Sequence, residues 1–130
     1  MLIVVGPNAG GVLQEAIALP FEARPEIWVL SELPLAVAPM PEACKERIAE
    51  TGALFVLEEH VPQGSAGHMI ATALVETGEA PRVFRHFAAK GYLSGRYGSQ
   101  AFHRAECGLD ARTVLSEIQK TVLPLSLIHI

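Results

Sequence analysis

The stretch Ala53–Gly78, ALFVLEEHVPQGSAGHMIATALVETG, constrains the fold more than any other part of the chain. Five apolar residues, Ala53–Leu57, end abruptly in Glu58, Glu59 and His60. A loop with Pro62, Gly64 and Gly67 follows, after which Met69, Ile70, Ala73 and Leu74 recur at helical spacing. A short unbroken apolar run bounded by turn residues fits a strand buried on both faces, as in a parallel sheet. The polar triplet then stands at the carboxyl end of that strand, the edge where open α/β sheets gather their functional loops.

The rest of the chain repeats this alternation. Leu2–Val5 reads as a strand that stops at Gly6-Pro7-Asn8, before a helix to about Leu19 with Val12, Leu13, Ala16 and Ile17 on its inner face. Pro20 and Arg24-Pro25 break that helix, and Ile27–Leu30 forms a second strand. Leu33–Met40, with two prolines, is a loop; Pro41 then opens a helix that Gly52 closes, and Gly78 stops the next one. Arg82–Phe87 is a fourth, more polar strand suited to a sheet edge. Ala88–Gly108, AAKGYLSGRYGSQAFHRAECG, reads as one long glycine-rich, aromatic loop. Asp110 caps a last helix whose Val114, Leu115, Ile118 and Val122 face inward.

Strands alternating with helices imply right-handed crossovers, hence an α/β fold: a three-layer α/β/α sandwich around a mainly parallel four-stranded sheet. Four loops, Gly6–Gly11, Ser31–Pro41, Glu58–Gly67 and Ala88–Gly108, would then converge on one edge.

A length of 130 residues suits a single domain, expected over residues 1–124. Pro124 should end the last helix. Leu125–Ile130, LSLIHI, matches what a common transposase sequencing adapter encodes when read through in frame, so residues 125–130 are expected to be a non-native tail. Half the residues are hydrophobic and mean hydropathy is +0.31, yet no apolar run approaches the ~20 residues of a bilayer span. No membrane association is therefore expected. The start, MLIVVGPNAGG, lacks the basic flank of a signal peptide. A net charge of -4 with scattered basic residues argues against nucleic acid as a partner. Cys44 and Cys107 form no CxxC and suggest a reducing cytoplasm.

The motifs are read against what their chemistry requires. Gly6-Pro7-Asn8-Ala9-Gly10-Gly11 lies between strand and helix, but Val12 and Leu13 stand where a phosphate loop needs Lys and Ser or Thr, so a tight turn is expected. Gln63 occupies the position where a nucleophile elbow around Ser65 would need glycine, which makes Ser65 a helix-start residue. Free N–H groups at that helix start, beside Gly64 and Gly67, favour an anion or a carboxylate. Glu58, Glu59, His60 and His68 have metal-ligand chemistry, but alternation sends adjacent strand residues to opposite faces and no HExxH is present. A hydrogen-bonded polar cluster is the expectation. His103 and Cys107 align only if their segment is helical. Tyr92, Arg96, Tyr97, Gln100, Phe102, His103 and Arg104 form a polar–aromatic set suited to either an interface or a solvated loop.

LFVLEEHVPQGSAGHMIATAL resembles the strand–loop–helix of the transketolase C-terminal domain, with its Val-Glu-Glu-His, glycine-rich loop and helix. GLDARTVLSEI is similar to the closing Gly-Leu-Asp and helix of the same family, and GRYGSQAFHRAECGLD to a variant loop of bacterial transketolase-like chains. The resemblance spans about Leu2 to Leu123. It implies a non-catalytic C-terminal domain or subunit of a thiamine-diphosphate-dependent transferase of ketol groups, lacking the family's first, antiparallel strand. Thiamine diphosphate and Mg2+ would be held by separate pyrophosphate-binding and pyrimidine-binding domains, and none by this chain alone. Those domains would be its partners, in a homo- or hetero-oligomer. No catalytic, cofactor-binding or metal-binding residue carries over. The expected interface or ligand-edge residues are Glu59, His60, Gly64, Gly67, His68, Tyr92, Arg96, Tyr97, Gln100, His103 and Arg104. The alternative is a free-standing flavodoxin-like module that binds a small anionic ligand at the same edge.

Overall fold

The computed structural model describes the backbone of residues 1–128 and the side chains of residues 1–122. Four strands, β1 (Leu2–Val5), β2 (Ile27–Leu30), β3 (Ala53–Leu57) and β4 (Val83–Phe87), form one sheet in the order β2-β1-β3-β4. All three pairings are parallel, with Leu2 opposite Ile27 and Phe55, and Ala53 opposite Val83. The helices are α1 (Ala9–Ile17), α2 (Glu42–Thr51), α3 (Ala66–Glu76), α4 (Gln100–Cys107) and α5 (Ala111–Ile128).

Alternation along β3 builds the three layers. Leu54 and Val56 face α2 and α3, where they meet Cys44, Ile48, Ile70 and Leu74. Phe55 and Leu57 face the opposite layer, with Val12 and Ala16 of α1 and Val114, Leu115 and Ile118 of α5. Every residue of β3 is buried, and each large side chain so enclosed contributes roughly 1.5–3 kcal/mol. The fold is the expected α/β/α sandwich, with β4 at a sheet edge.

The chain punctuation follows local chemistry. Pro41 precedes α2, and Gly52 ends it in the left-handed conformation, φ 68°. Asp110 Oδ2 accepts from the Thr113 amide at 3.1 Å at the start of α5. Gly6, φ +78°, leads a 3-10 turn over Gly6–Asn8 into α1, so the tight turn expected over Gly6–Gly11 occupies only its first three residues, and Ala9, Gly10 and Gly11 already belong to α1.

Three expectations need correction. Leu13 and Ile17 are exposed, because α1 buries only the narrow stripe of Val12 and Ala16 and each next residue is rotated about 100° away. Ala88–Gly108 is not one loop: Ser99 Oγ accepts from the Phe102 amide at 3.2 Å and starts α4, which Gly108 closes at φ 69°. Pro124 does not end α5, whose backbone continues to Ile128; a proline removes one N–H donor without preventing later residues from staying helical. The expectation for the Leu125–Ile130 tail lies outside the described side chains.

Candidate functional site

The carboxyl edge of the sheet divides into two halves because two adjacent carboxylates, Glu58 and Glu59, directly follow β3. Glu58 continues the side of Leu54 and Val56 and turns toward α3, while Glu59 turns toward α4.

Glu58 is 3% exposed. Its Oε1 accepts from the Ala66 amide at 3.2 Å and its Oε2 from the Gly67 amide at 2.7 Å, both at the first turn of α3. These are donors that a helix start leaves without partners, and a carboxylate there also meets the positive end of the helix dipole. Ser65, the residue before α3, adds its own Oγ to the His68 amide at 3.1 Å. The helix start therefore holds the carboxylate that free N–H groups favour, and the chain itself supplies it. His86, on β4 opposite Val56, closes the arrangement: its Nε2 lies 2.6 Å from Glu58 Oε2, and donation to a carboxylate places the ring proton on Nε2.

Gly67 is what admits the His86 ring. A Cβ at that position would fall well inside van der Waals contact with the imidazole. Gly64 takes the left-handed conformation, φ +71°, and Gly67 does not. His68 lies beside the pair, its ring centroid 5.6 Å from that of His86.

On the other half, Arg104 of α4 pairs through Nε with Glu59 Oε1, and Gln100 Nε2 donates to Glu59 Oε2 at 2.9 Å. Burial alone pushes the Glu59 carboxyl up, but hydrogen bonds from Arg104 and Gln100, with the Arg104 charge and the nearby Asn8 amide dipole, hold it below the usual carboxylate range. The Asn8 side chain is buried beside this group, although neither its Oδ1 nor its Nδ2 reaches hydrogen-bonding geometry. Glu59 thus fastens α4 to the sheet. Because its folded-state pKa is depressed, its contribution is fully present above the ordinary carboxylate pKa and is lost as pH falls through the folded value. Glu59→Gln should therefore cost about 0.5–1 kcal/mol at neutral pH, as for a partly exposed ion pair, and almost nothing at an acid pH below the folded value. Urea unfolding of both proteins at the two pH values checks this; an equal cost at both would assign Glu59 a packing role.

A row of aromatic rings lies outside this pair. Tyr92 and Tyr97 have ring centroids 6.4 Å apart, Tyr92 meets His103 edge-on at 5.2 Å, and His103 meets Phe102 at 5.2 Å. His103 and Cys107 share α4 but do not converge, since Cys107 is buried and its Sγ accepts from the Lys90 amide at 3.4 Å.

The expected site residues accordingly separate into groups. Glu59, Gln100 and Arg104 join in the ion cluster; Tyr92, Tyr97 and His103 share the aromatic row; Gly67 and His68 flank His86. His60 is exposed apart from these clusters, with its Nδ1 2.6 Å from the Val61 carbonyl, and Arg96 is exposed next to Tyr97 in the loop that carries the aromatic row. The principal partner missed in the sequence is His86. Its signal was the strand period, which puts it on the same face as Phe84, toward α3. Among the described residues no group of three His, Cys, Asp or Glu could hold a metal ion, and no helix is long and apolar enough to cross a membrane. A hollow of about 880 Å³ lies at the opposite, amino edge, where Met1, Arg47 and Lys120 line it.

No protein-family model, curated protein or solved structure matches this chain.

Proposed function

We propose that this chain is a non-catalytic docking domain, of the kind represented by the transketolase C-terminal domain, that assembles with the cofactor-binding domains of a thiamine-diphosphate-dependent transferase. The observation that carries this reading is Glu58. The α3 start, where an open α/β fold would receive an anion, already holds a buried carboxylate that makes two amide hydrogen bonds and a contact to His86. A diphosphate does not fit there without expelling it. The small-anion alternative meets the same obstacle. What the edge offers outward is His60 and the tyrosine-rich loop, the residue types that protein interfaces favour. Thiamine diphosphate and Mg2+ belong to the partner domains. Two free, buried cysteines, Cys44 and Cys107, support a reducing cytoplasm as the setting.

Calorimetric titration tests the reading in two parts. The chain should show no saturable micromolar binding of thiamine diphosphate with Mg2+. It should bind a transketolase-type chain that carries the diphosphate-binding and pyrimidine-binding domains, and His60→Ala should weaken that association by about 1 kcal/mol. Micromolar cofactor binding by this chain alone would refute the assignment.

A further inference from the structure

Charge is segregated along this acidic chain. Between Pro81 and Ala105 there is no Asp or Glu, yet five of the ten Lys and Arg residues lie there. Two of the five are neutralised internally, Arg85 by Glu117 and Arg104 by Glu59. Of the other three, Arg82 stands just before β4 beside Gly52, at the amino edge of the sheet, while Lys90 and Arg96, at the carboxyl edge, are exposed and make no ion pair among the described residues. They flank the most exposed aromatic side chains at this edge, Tyr97 at 95% and Tyr92 at 69%, with Leu93 between them. His103 underlies Tyr92 and connects this loop to α4.

Such a surface combines an apolar, ring-lined centre with a cationic border. Tyrosine offers large contact area at low side-chain entropy cost, and unpaired cations around it attract the opposite charge and steer its approach. We propose that the Lys90–Tyr97 loop is a docking surface for an acidic protein surface, one that presents carboxylates around an apolar patch. This rests on the docking reading above and adds the chemistry of the partner. Lys90 and Arg96 set the charge preference, while Tyr92, Leu93 and Tyr97 supply the buried contact. Because Glu59 cancels Arg104, the preference depends on the two unpaired cations.

The test uses the full chain and three fluorescein-labelled probes: a peptide of alternating Glu and Leu, its Lys-and-Leu counterpart, and oligodeoxythymidylate. Anisotropy should show binding of the Glu-and-Leu peptide, weakened by added salt, and none of the Lys-and-Leu peptide. Lys90→Glu with Arg96→Glu should lower the affinity at least about tenfold, and Tyr92→Ala with Tyr97→Ala by a similar factor. All four positions are exposed, so unfolding midpoints should be unchanged. Tighter binding of the oligonucleotide than of the acidic peptide would overturn the proposal in favour of a nucleic-acid surface. Absence of binding, or binding indifferent to both double substitutions, would also overturn it. The charge-reversed variant is then titrated against the two-domain transketolase-type chain. Undiminished binding there would sink this inference while leaving the docking reading intact. Acidic-peptide binding without any binding of that chain would do the reverse.

Discussion

Glu58→Ala should destabilise the fold by about 3 kcal/mol, the largest loss expected from any substitution at the carboxyl edge. The carboxylate is buried, so water does not readily replace it. Its removal strands the Ala66 and Gly67 amides and leaves His86 Nε2 without its acceptor. Each buried group left unsatisfied costs about 1–3 kcal/mol, and hydrogen bonds to a charged acceptor lie at the strong end of that scale. Loss of negative charge at the α3 start adds roughly 0.3–1 kcal/mol. Glu58→Gln keeps an acceptor oxygen and should lose only about half as much. Urea unfolding reads both variants. A loss below ~1 kcal/mol for Glu58→Ala would mean that solvent reaches the helix start and the carboxylate is dispensable.

Gly67→Ala should cost about 2 kcal/mol, and the sign is the informative part. Within a helix, replacing glycine by alanine ordinarily stabilises by about 0.5–1 kcal/mol. Gly67 is already helical and has no left-handed φ to protect, so propensity alone predicts a gain. The opposing effect is steric: the new methyl group meets the His86 ring, which the Glu58 carboxylate holds in place. Overpacking of this kind typically costs about 1–3 kcal/mol. In a His86→Ala background the same Gly67→Ala change should become neutral or stabilising. The double-mutant cycle should thus show a coupling of at least ~1 kcal/mol. Additive effects would mean that the glycine serves the backbone and not the ring.

How far the sequence specifies this structure depends on the range of the interaction. The strand limits at Leu2–Val5, Ile27–Leu30 and Ala53–Leu57 agree with apolar runs, and the stops at Gly52 and Gly78 with glycines in the left-handed region. The opposite facing of Glu58 and Glu59 follows from the strand period alone. The helix at Gln100–Cys107 was obscured because Gly91, Gly95 and Gly98 dominate the preceding stretch, although Ser99 marks its start. Leu13 and Ile17 misled because an apolar residue can remain on a surface, whereas the breadth of the buried stripe depends on what packs against it. The pairing of Glu58 with His86 joins residues 28 apart in sequence, through the register of β3 with β4. No local pattern supplies that register, so the key contact of the site became visible only in three dimensions.

Glu58 lies eight and nine positions from the amides it meets at α3, directly after β3, where its own amide donates to the Phe87 carbonyl at 3.0 Å. A group tethered that closely acts at an effective concentration of order millimolar or above, and a rigid mount raises it further. A free carboxylate or phosphate competes with a neighbour that does not diffuse away. Anion levels in the surrounding medium therefore have little influence on this position, and the domain presents the same edge whether metabolites are scarce or abundant. Under the docking role proposed above, that constancy would separate adhesion from the concentrations of small molecules around the assembly.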